Sequence, residues 1–431
     1  MTDRAPGPAP LWARSLPWRR RLLAFLAVVG PGIITANADN DAGGITTYSI
    51  VGAHYGYSLL WALVLVTISL AVTQEIGART GAVTGKGLAA LIRENYGVRI
   101  TAAAMLALLV ANQATTISEF AGVAASVELF HLPRLVCVPV VAALVWYLVT
   151  HGNYRDVERI FFGFSAFYLA YVLTGFLAAP PWGEVLRQTV TPSFQVDAGY
   201  LLTFVAMVGT TITPWGQFFI QAYVVDKGVT REEYRYTRLD VLFGSLVTDV
   251  IAFFIIVATA ATLFVHGVRI EDASDAAQAL APLAGPLAQY LFAAGLLNAS
   301  VLGACIVPLA TAYAITEAFG WEAGVNTSFR EAPAFNGIYT FTVAVGAAFV
   351  LIPQLPLVTV MLVAQTVNGI LLPVVLILAA RLADNPAIMG KDRNSPVLRV
   401  IVWATVAATI ALTALLLLTS VVLPVLGIDL G

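Results

Sequence analysis

The chain has 431 residues, of which 59% are hydrophobic and only 11% are charged. Soluble domains carry about 25% charged residues and need polar side chains to cover their surface. The composition therefore excludes a soluble enzyme, a disordered chain and a nucleic-acid binder with a basic patch. The formal net charge of −2 indicates no particular protein partner. The two cysteines, Cys137 and Cys305, are too few for a disulfide framework.

Long apolar runs recur along the whole chain after a polar N-terminal segment, residues 1–22. Each run approaches the roughly 20 residues that a membrane-spanning helix needs. We identify eleven of them, at 23–51, 57–77, 100–127, 135–150, 160–179, 199–224, 239–265, 285–318, 336–352, 355–380 and 398–421. Their continuous apolar character argues against a β-barrel, whose strands alternate in polarity. The sequence predicts an all-α polytopic protein of the lipid bilayer with about 11 transmembrane helices.

The basic residues predict the orientation of these helices. With the N-terminus in the cytoplasm, all but three of the 23 lysines and arginines fall on the cytoplasmic side. The exceptions are Arg134, Arg187 and Arg269. Eleven helices then place the C-terminus outside the cell membrane. A missed helix would scramble this alternation, so the bias supports the helix count as well.

Two of the runs are interrupted by residues that break helices. Residues 30–44 of the first run and 209–217 of the sixth combine Gly, Pro, Asn and Thr at mid-membrane depth. Unwound backbone is tolerated there only where it lines a cavity. Because the breaks recur after five helices, we expect two inverted repeats, 23–179 and 199–381, followed by an additional helix at 398–421. Paired broken helices mark the transport site of secondary transporters.

The first break contains two carboxylates, Asp39 and Asp41. Intramembrane acids are costly and usually mark ion pathways. For Asp41 the alternative is a helix cap or a buried ion pair, although neither broken run contains a basic residue for it. For Asp39 a functional and a structural role are equally supported.

Other chemistries lack support in the sequence. The sequence contains no phosphate-binding loop of the Gly-x4-Gly-Lys type, so it gives no support to ATP-driven transport. It also shows no nucleophile–base arrangement at the breaks that would indicate an enzyme. The four histidines lie at helix ends, which argues against a soft metal site at the breaks. We predict no cofactor, and a metal ion would be cargo.

These motifs resemble the Nramp family of divalent-metal transporters over most of the chain. The Gly-Pro-Gly at 30–32 is similar to the family's opening of helix 1, and 41–44 falls on its Asp-Pro-Gly-Asn motif. The run Gln-Glu-Ile-Gly-Ala-Arg at 74–79, with 83–94, is similar to the second helix and its loop. Residues 207–215 fall on the helix 6 motif. The resemblance implies the inverted-repeat fold of amino-acid/sodium symporters.

The sequence departs from the family at positions that bind metal or carry protons. Gly44 stands where the family has a metal-binding Asn, and Thr213 where it has a Met. Trp215 replaces a His, and Thr116 replaces an Asp of the proton path, although Glu119 is kept. The ninth helix lacks the family's usual basic pair. These departures resemble the Nramp-related magnesium transporters.

The departures favour a hard cation. A thioether selects transition metals, so its replacement by Thr213 removes a device that rejects Mg²⁺. Mg²⁺ is bound through one or two carboxylates and keeps several waters. Two acids, freed carbonyls, Thr210, Thr213 and Gln217 suit such an ion. The magnesium branch that the sequence resembles implies transport of Mg²⁺ and Mn²⁺ without proton coupling.

Four further residues are candidates with open alternatives. The resemblance implies that Gln365 approaches the metal, and an interhelical hydrogen bond is the alternative. Trp215 either lines the pore or packs. Glu119 either gates the pathway or relays a proton, and the alternative is that it caps unwound backbone. Asp249 either lines the inner pathway or pairs with another helix.

We therefore expect a secondary transporter that imports Mg²⁺, and also Mn²⁺, by alternating access without proton coupling. One alternative is a proton-coupled Mn²⁺ or Fe²⁺ importer of the ordinary Nramp type, with Asp39 or Glu119 carrying the proton. An alternative of another class is a sodium-coupled symporter of a small solute.

Overall fold

The computed structural model describes residues 40–151, 167–324 and 327–425, and it is helical without strands over these ranges. Residues 1–22, the first part of the first predicted helix and the start of the fifth lie outside the described residues. Asp39 also lies outside them. The all-α prediction is confirmed.

We number the helices of nine residues or more. They are α1 (Ala42–Tyr55), α2 (Leu60–Thr84), α3 (Leu88–Leu129), α4 (Arg134–His151), α5 (Tyr168–Leu177), α6 (Trp182–Val190), α7 (Ala198–Thr211), α8 (Pro214–Asp226), α9 (Tyr234–Thr262), α10 (Ala288–Phe319), α11 (Pro333–Phe349), α12 (Leu357–Asp384) and α13 (Pro396–Leu417). Short helical turns connect several of them.

Within the described residues, 7 helical segments are long and apolar enough to cross a membrane. The sixth predicted span is not among them, because it is divided into α7, with 14 residues, and α8, with 13. In tandem these two helices cover the predicted span, and Ile212 and Thr213 between them form the break. The helix 6 interruption expected from the sequence is therefore confirmed and narrowed to two residues.

One helix extends beyond its predicted span. α3 begins at Leu88 with a charged segment, and the membrane helix follows Gly97, close to the predicted start at 100. Gly97, with φ 74°, bends the chain between that segment and the membrane helix. Residues 180–198, which separate the fifth and sixth predicted spans, contain α6, a short helix that a search for long apolar runs does not detect.

Small residues let the central helices approach closely. A Cβ on Gly209 of α7 would lie 2.2 Å from the Gln365 carbonyl oxygen, and one on Gly369 of α12 would lie 2.4 Å from the Val205 carbonyl oxygen. The backbones of α7 and α12 are therefore in direct contact, as small residues allow in membrane helices. α3 and α10 also pack against each other, and α1 packs against α9. These contacts place the two breaks at the centre of the bundle.

Candidate functional site

Asp41 begins α1 at the centre of the protein. Its backbone is extended, with φ −71° and ψ −178°, and its Oδ1 accepts a hydrogen bond of 2.6 Å from the Gly44 amide. This is an ordinary N-cap, which the sequence raised as one alternative for Asp41. The carboxylate is 1% exposed, and its Oδ2 has no hydrogen-bond partner among the described residues. Capping therefore uses one oxygen and leaves the other for a ligand.

Glu119 of α3 faces Asp41. Its Oε2 accepts a hydrogen bond of 3.4 Å from the Ala42 amide, and the two carboxyl groups lie within hydrogen-bonding reach of each other. Glu119 is fully buried, and its Oε1 has no partner in the described part of the chain. No ion pair to either acid is formed within residues 40–151, 167–324 and 327–425. Two facing carboxyls without a basic partner need a proton or a cation between them.

The end of α7 supplies uncharged oxygens. Pro214 has no N–H, so the Thr210 carbonyl cannot receive the usual i+4 hydrogen bond. The Thr210 hydroxyl is fully buried and lacks a partner among the described residues. Carbonyls at a helix C-terminus carry partial negative charge and attract cations. Thr213 caps α8 instead, because its hydroxyl accepts a hydrogen bond of 3.2 Å from the Gly216 amide.

Gln365 of α12 reaches the Asp41 carboxylate. Its Nε2 lies 3.5 Å from Asp41 Oδ1, and its Oε1 accepts a 2.7 Å hydrogen bond from Asn368. The Asn368 amide also donates to the Thr115 hydroxyl at 2.8 Å. Gly43 makes room for the contact, since a Cβ there would lie 1.9 Å from Gln365 Nε2. Gln365 therefore joins α12 to the first break and also touches the acid.

The other predicted residues are placed differently. Gly44 contributes its amide to Asp41, and an N–H group repels a cation. Trp215 is fully buried against Leu302 and Ile306 of α10, the packing role that the sequence left open. Gln217 is buried on α8, with no partner for its Nε2 among the described atoms. Asp249 lies on α9, and its carboxylate contacts the Thr67 side chain rather than Asp41 or Glu119.

The sequence did not reveal the hydrogen bonds that hold the first break in place. Asn40 precedes Asp41, and its carbonyl accepts a 2.6 Å hydrogen bond from the Tyr168 hydroxyl of α5. Its amide donates to the Thr248 carbonyl of α9 at 3.4 Å. The asparagine was visible inside the break, but its partners are 128 and 208 residues away in sequence. No local pattern marks such contacts.

Comparison with known proteins agrees with the fold. A manganese transporter of Eremococcus coleocola superposes with a TM-score of 0.71 at 22% identity, covering 97% of this chain and 89% of that chain. MhsT, solved in complex with L-phenylalanine, gives a TM-score of 0.59 at 16% identity, with 89% and 98% covered. The molecule therefore has the broken-helix, inverted-repeat fold of secondary transporters.

The family follows from the sequence match. The family model described as natural resistance-associated macrophage protein-like, Nramp, matches residues 32–419. The divalent metal cation transporter MntH of Verminephrobacter eiseniae is 27% identical over 417 residues, covering 93% of this chain and 91% of the relative. MntH of Bacillus subtilis is 28% identical over 293 residues, covering 65% and 68%. The chain belongs to the Nramp family of divalent-metal transporters, which are not enzymes.

Proposed function

We propose that this protein imports Mg²⁺, and also Mn²⁺, by alternating access and without proton coupling. The observation that carries the proposal is the facing pair Asp41 and Glu119, each with one oxygen that has no partner among the described residues. Thr210 adds a carbonyl and a hydroxyl on α7, where the preceding Gly209 packs against Gln365. All of these donors are hard oxygens. Such a set suits a partly hydrated hard divalent cation. The proposal assigns Asp39, which the sequence places in the first break, as a further acid of the site.

Softness of the ligands distinguishes the candidate cargoes. Within the described residues no group of three or more His, Cys, Asp or Glu side chains forms a metal cluster. The soft sulfur that the family resemblance places in helix 6 is replaced by Thr213. Soft sulfur ligands favour transition metals, and oxygen ligands accept Mg²⁺ and Mn²⁺ alike. The relatives named for manganese transport support Mn²⁺ as a cargo of this chain as well.

The driving force in this proposal is the membrane potential. An inside-negative potential favours entry of each elementary charge by about 2.3 kcal/mol per 100 mV, and a divalent ion gains about twice that. The proposed orientation has the N-terminus inside and the C-terminus outside. The buried site would open alternately to the two sides as the broken helices rock.

One observation favours a second candidate, the proton-coupled Mn²⁺ or Fe²⁺ importer. Asp41 and Glu119 lie close enough to share a proton, which a bound cation would displace. A proton-coupled cycle would release that proton on the same side as the metal.

Reconstitution distinguishes the uncoupled importer from the proton-coupled importer. The protein is inserted into liposomes that contain a Mg²⁺ indicator or a pH dye, and a potential is imposed with a potassium ionophore. We expect Mg²⁺ uptake without lumen acidification. Acidification that depends on metal would establish the coupled candidate, and failure to move Mg²⁺ while Mn²⁺ enters would remove the Mg²⁺ assignment.

Two variants test the site directly. Asp41→Asn keeps the size of the side chain and removes its charge, so we expect uptake to fall to the level of empty liposomes. Thr213→Met restores a soft ligand and should shift the preference from Mg²⁺ towards Mn²⁺. Thr203→Met, in the first half of α7 and away from the break at 212–213, serves as the matched control and should leave selectivity unchanged. Full activity of Asp41→Asn would remove Asp41 from the ligand set.

A further inference from the structure

Asp249 is a buried acid outside the candidate site. It lies near the middle of α9 and is 3% exposed, and neither carboxylate oxygen has a hydrogen-bond partner by distance and angle among the described residues. The polar group next to its carboxylate is the Thr67 side chain of α2, whose hydroxyl already donates to the Leu63 carbonyl at 2.8 Å. A bare carboxylate at this depth is costly. A positive charge of some kind must neutralise it.

No protein side chain in the described structure provides that charge. The charged or titratable groups on the described helices that pack against α9 include Asp41, Tyr48, His54 and Tyr55 at the start of α1 and along it, Glu75 and Arg79 on α2, and Tyr168 and Tyr171 on α5. On α9 itself they are Tyr234, Arg235, Tyr236, Arg238 and Asp240. None of them pairs with Asp249, and among the described residues the polar side chain next to its carboxylate is that of Thr67. The neutralising charge is therefore a small bound cation.

The ligand set identifies that cation. Mg²⁺ and Ca²⁺ take six or more oxygen ligands. Asp249 and Thr67 provide three side-chain oxygens, and α9 is an uninterrupted helix whose carbonyls are engaged within it. This set holds one carboxylate and one hydroxyl, fewer oxygens than Asp41, Glu119 and Thr210 offer together, so a divalent metal would bind here more weakly than at the breaks. A proton needs a single oxygen, so the geometry fits a protonated carboxyl.

Asp249 is connected to the first break through its neighbour in the chain. The Thr248 carbonyl accepts the hydrogen bond from the Asn40 amide, and Asn40 directly precedes Asp41. The Asn40 carbonyl is held from the other side by Tyr168. A shift of α9 at Asp249 would therefore move the segment that carries Asp41.

We infer that Asp249 is a proton-binding group, separate from the metal site, that makes the rate of transport depend on pH. The neutral acid is compatible with the buried arrangement between α2 and α9, and the ionised acid is not. When the pH rises, the proton is lost from conformations in which water reaches Asp249, and return to the buried arrangement slows. Uptake therefore falls as the pH rises, whichever divalent metal is carried.

The test is metal uptake into liposomes at equal pH on both sides, between about pH 5 and pH 9. The wild-type rate should fall with rising pH, by at most about tenfold per pH unit because one proton is involved. Asp249→Asn imitates the neutral acid and should give a flat profile over the same range. Asp226→Asn, which removes an exposed carboxylate at the end of α8, should retain the wild-type profile. An Asp249→Asn profile that follows the wild-type slope would overturn the inference.

A second measurement needs neither a variant nor transport. Membrane-soluble carbodiimides add to protonated carboxyl groups and not to ionised ones, so mass spectrometry of the treated wild-type protein reports protonation at each acid. We expect an adduct on Asp249 whose yield decreases as the pH rises. Absence of the adduct, or a yield independent of pH, counts against the inference. If the wild type carries no Mg²⁺ or Mn²⁺, the proposed function fails, and the labelling still decides the role of Asp249.

Discussion

The Glu119 carboxyl occupies space that exists because residue 303 is glycine. A Cβ on Gly303 of α10 would lie 2.4 Å from Glu119 Cδ and 2.5 Å from its Oε2. That oxygen is also the one that accepts from the Ala42 amide. Gly303 therefore gives the Glu119 carboxyl room, and the position of Glu119 relative to Asp41 depends on this glycine of α10.

Gly303→Ala should therefore impair metal uptake. The added methyl group must displace the Glu119 carboxyl or move α10, and overpacking of this kind costs about 1–3 kcal/mol. We expect a large loss of uptake in liposomes together with a modest fall in the apparent Tm.

Gly295→Ala is the control on the same helix. Its Cβ would meet Phe167 at 3.5 Å, an ordinary van der Waals contact. Uptake by this variant should match the wild type. Equal uptake by both variants would show that the position of Glu119 does not limit transport.

Gln365→Ala should lower uptake by about tenfold or more, equivalent to about 1.4 kcal/mol. The change removes the amide that lies against Asp41 and leaves Asn368 without its acceptor on Gln365. Gln113→Ala is the control, because Gln113 makes an interhelical hydrogen bond of 3.2 Å to the Thr342 carbonyl away from the acids. If Gln365 only makes an interhelical hydrogen bond, Gln365→Ala and Gln113→Ala will reduce uptake equally, by the small amount typical of such bonds in membranes.

The sequence predicted the fold because the membrane imposes regular patterns. Apolar runs, the asymmetry of basic residues and the break at 212–213 are all local signals. The site was predicted only in part. Asp41 was recognisable as an acid in a break, but its closeness to Glu119 depends on how α3 packs on α10 at Gly303. Contacts across 77 residues of sequence leave no local trace.

Asp272, in the segment between α9 and α10, responds to pH in a way that can be checked separately from transport. Asp272 caps the short helix Ala273–Ala277, accepting from the amides of Ser274 at 2.8 Å and Asp275 at 3.2 Å. Partial burial alone would raise the pKa of Asp272, but these hydrogen bonds outweigh it and hold the pKa below its ordinary value. The stabilisation is therefore present above about pH 4, the unfolded value, and is lost as the pH falls through the folded value.

Asp272→Ala should lower stability near neutral pH by about 1 kcal/mol, the usual value of an N-cap. Thermal unfolding of the detergent-solubilised protein measures the difference. The gap between wild type and variant should narrow in acid. Glu271→Ala, which removes a neighbouring acid with an exposed side chain, is the control. A gap that is constant with pH would exclude an ionised cap.

The C-terminal half of α2 carries a buried ion pair, Glu75 with Arg79 at 3.1 Å. Arg79 also donates to Asn394 and to the Asp392 carbonyl in the segment between α12 and α13, and the Tyr234 hydroxyl of α9 donates to Glu75. Arg79→Gln removes the closer partner and leaves the buried Glu75 carboxylate with Arg238, a half-exposed side chain 3.9 Å away. Breaking a buried pair typically costs about 3–5 kcal/mol, and the remaining Arg238 offsets part of that cost. We expect a large fall in the apparent Tm.

The matched control for Arg79→Gln is Lys86→Gln, which breaks the pair with Glu94 at 2.7 Å. Those side chains are 47% and 49% exposed, against 8% and 4% for Arg79 and Glu75. Exposed pairs contribute at most about 1 kcal/mol because water and salt screen them. The Tm of Lys86→Gln should therefore remain close to that of the wild type. High salt should reduce the effect of the Lys86 variant and leave that of the Arg79 variant nearly unchanged, since buried charges are screened much less. Similar Tm shifts for both variants would show that burial of the Glu75–Arg79 pair does not govern its contribution.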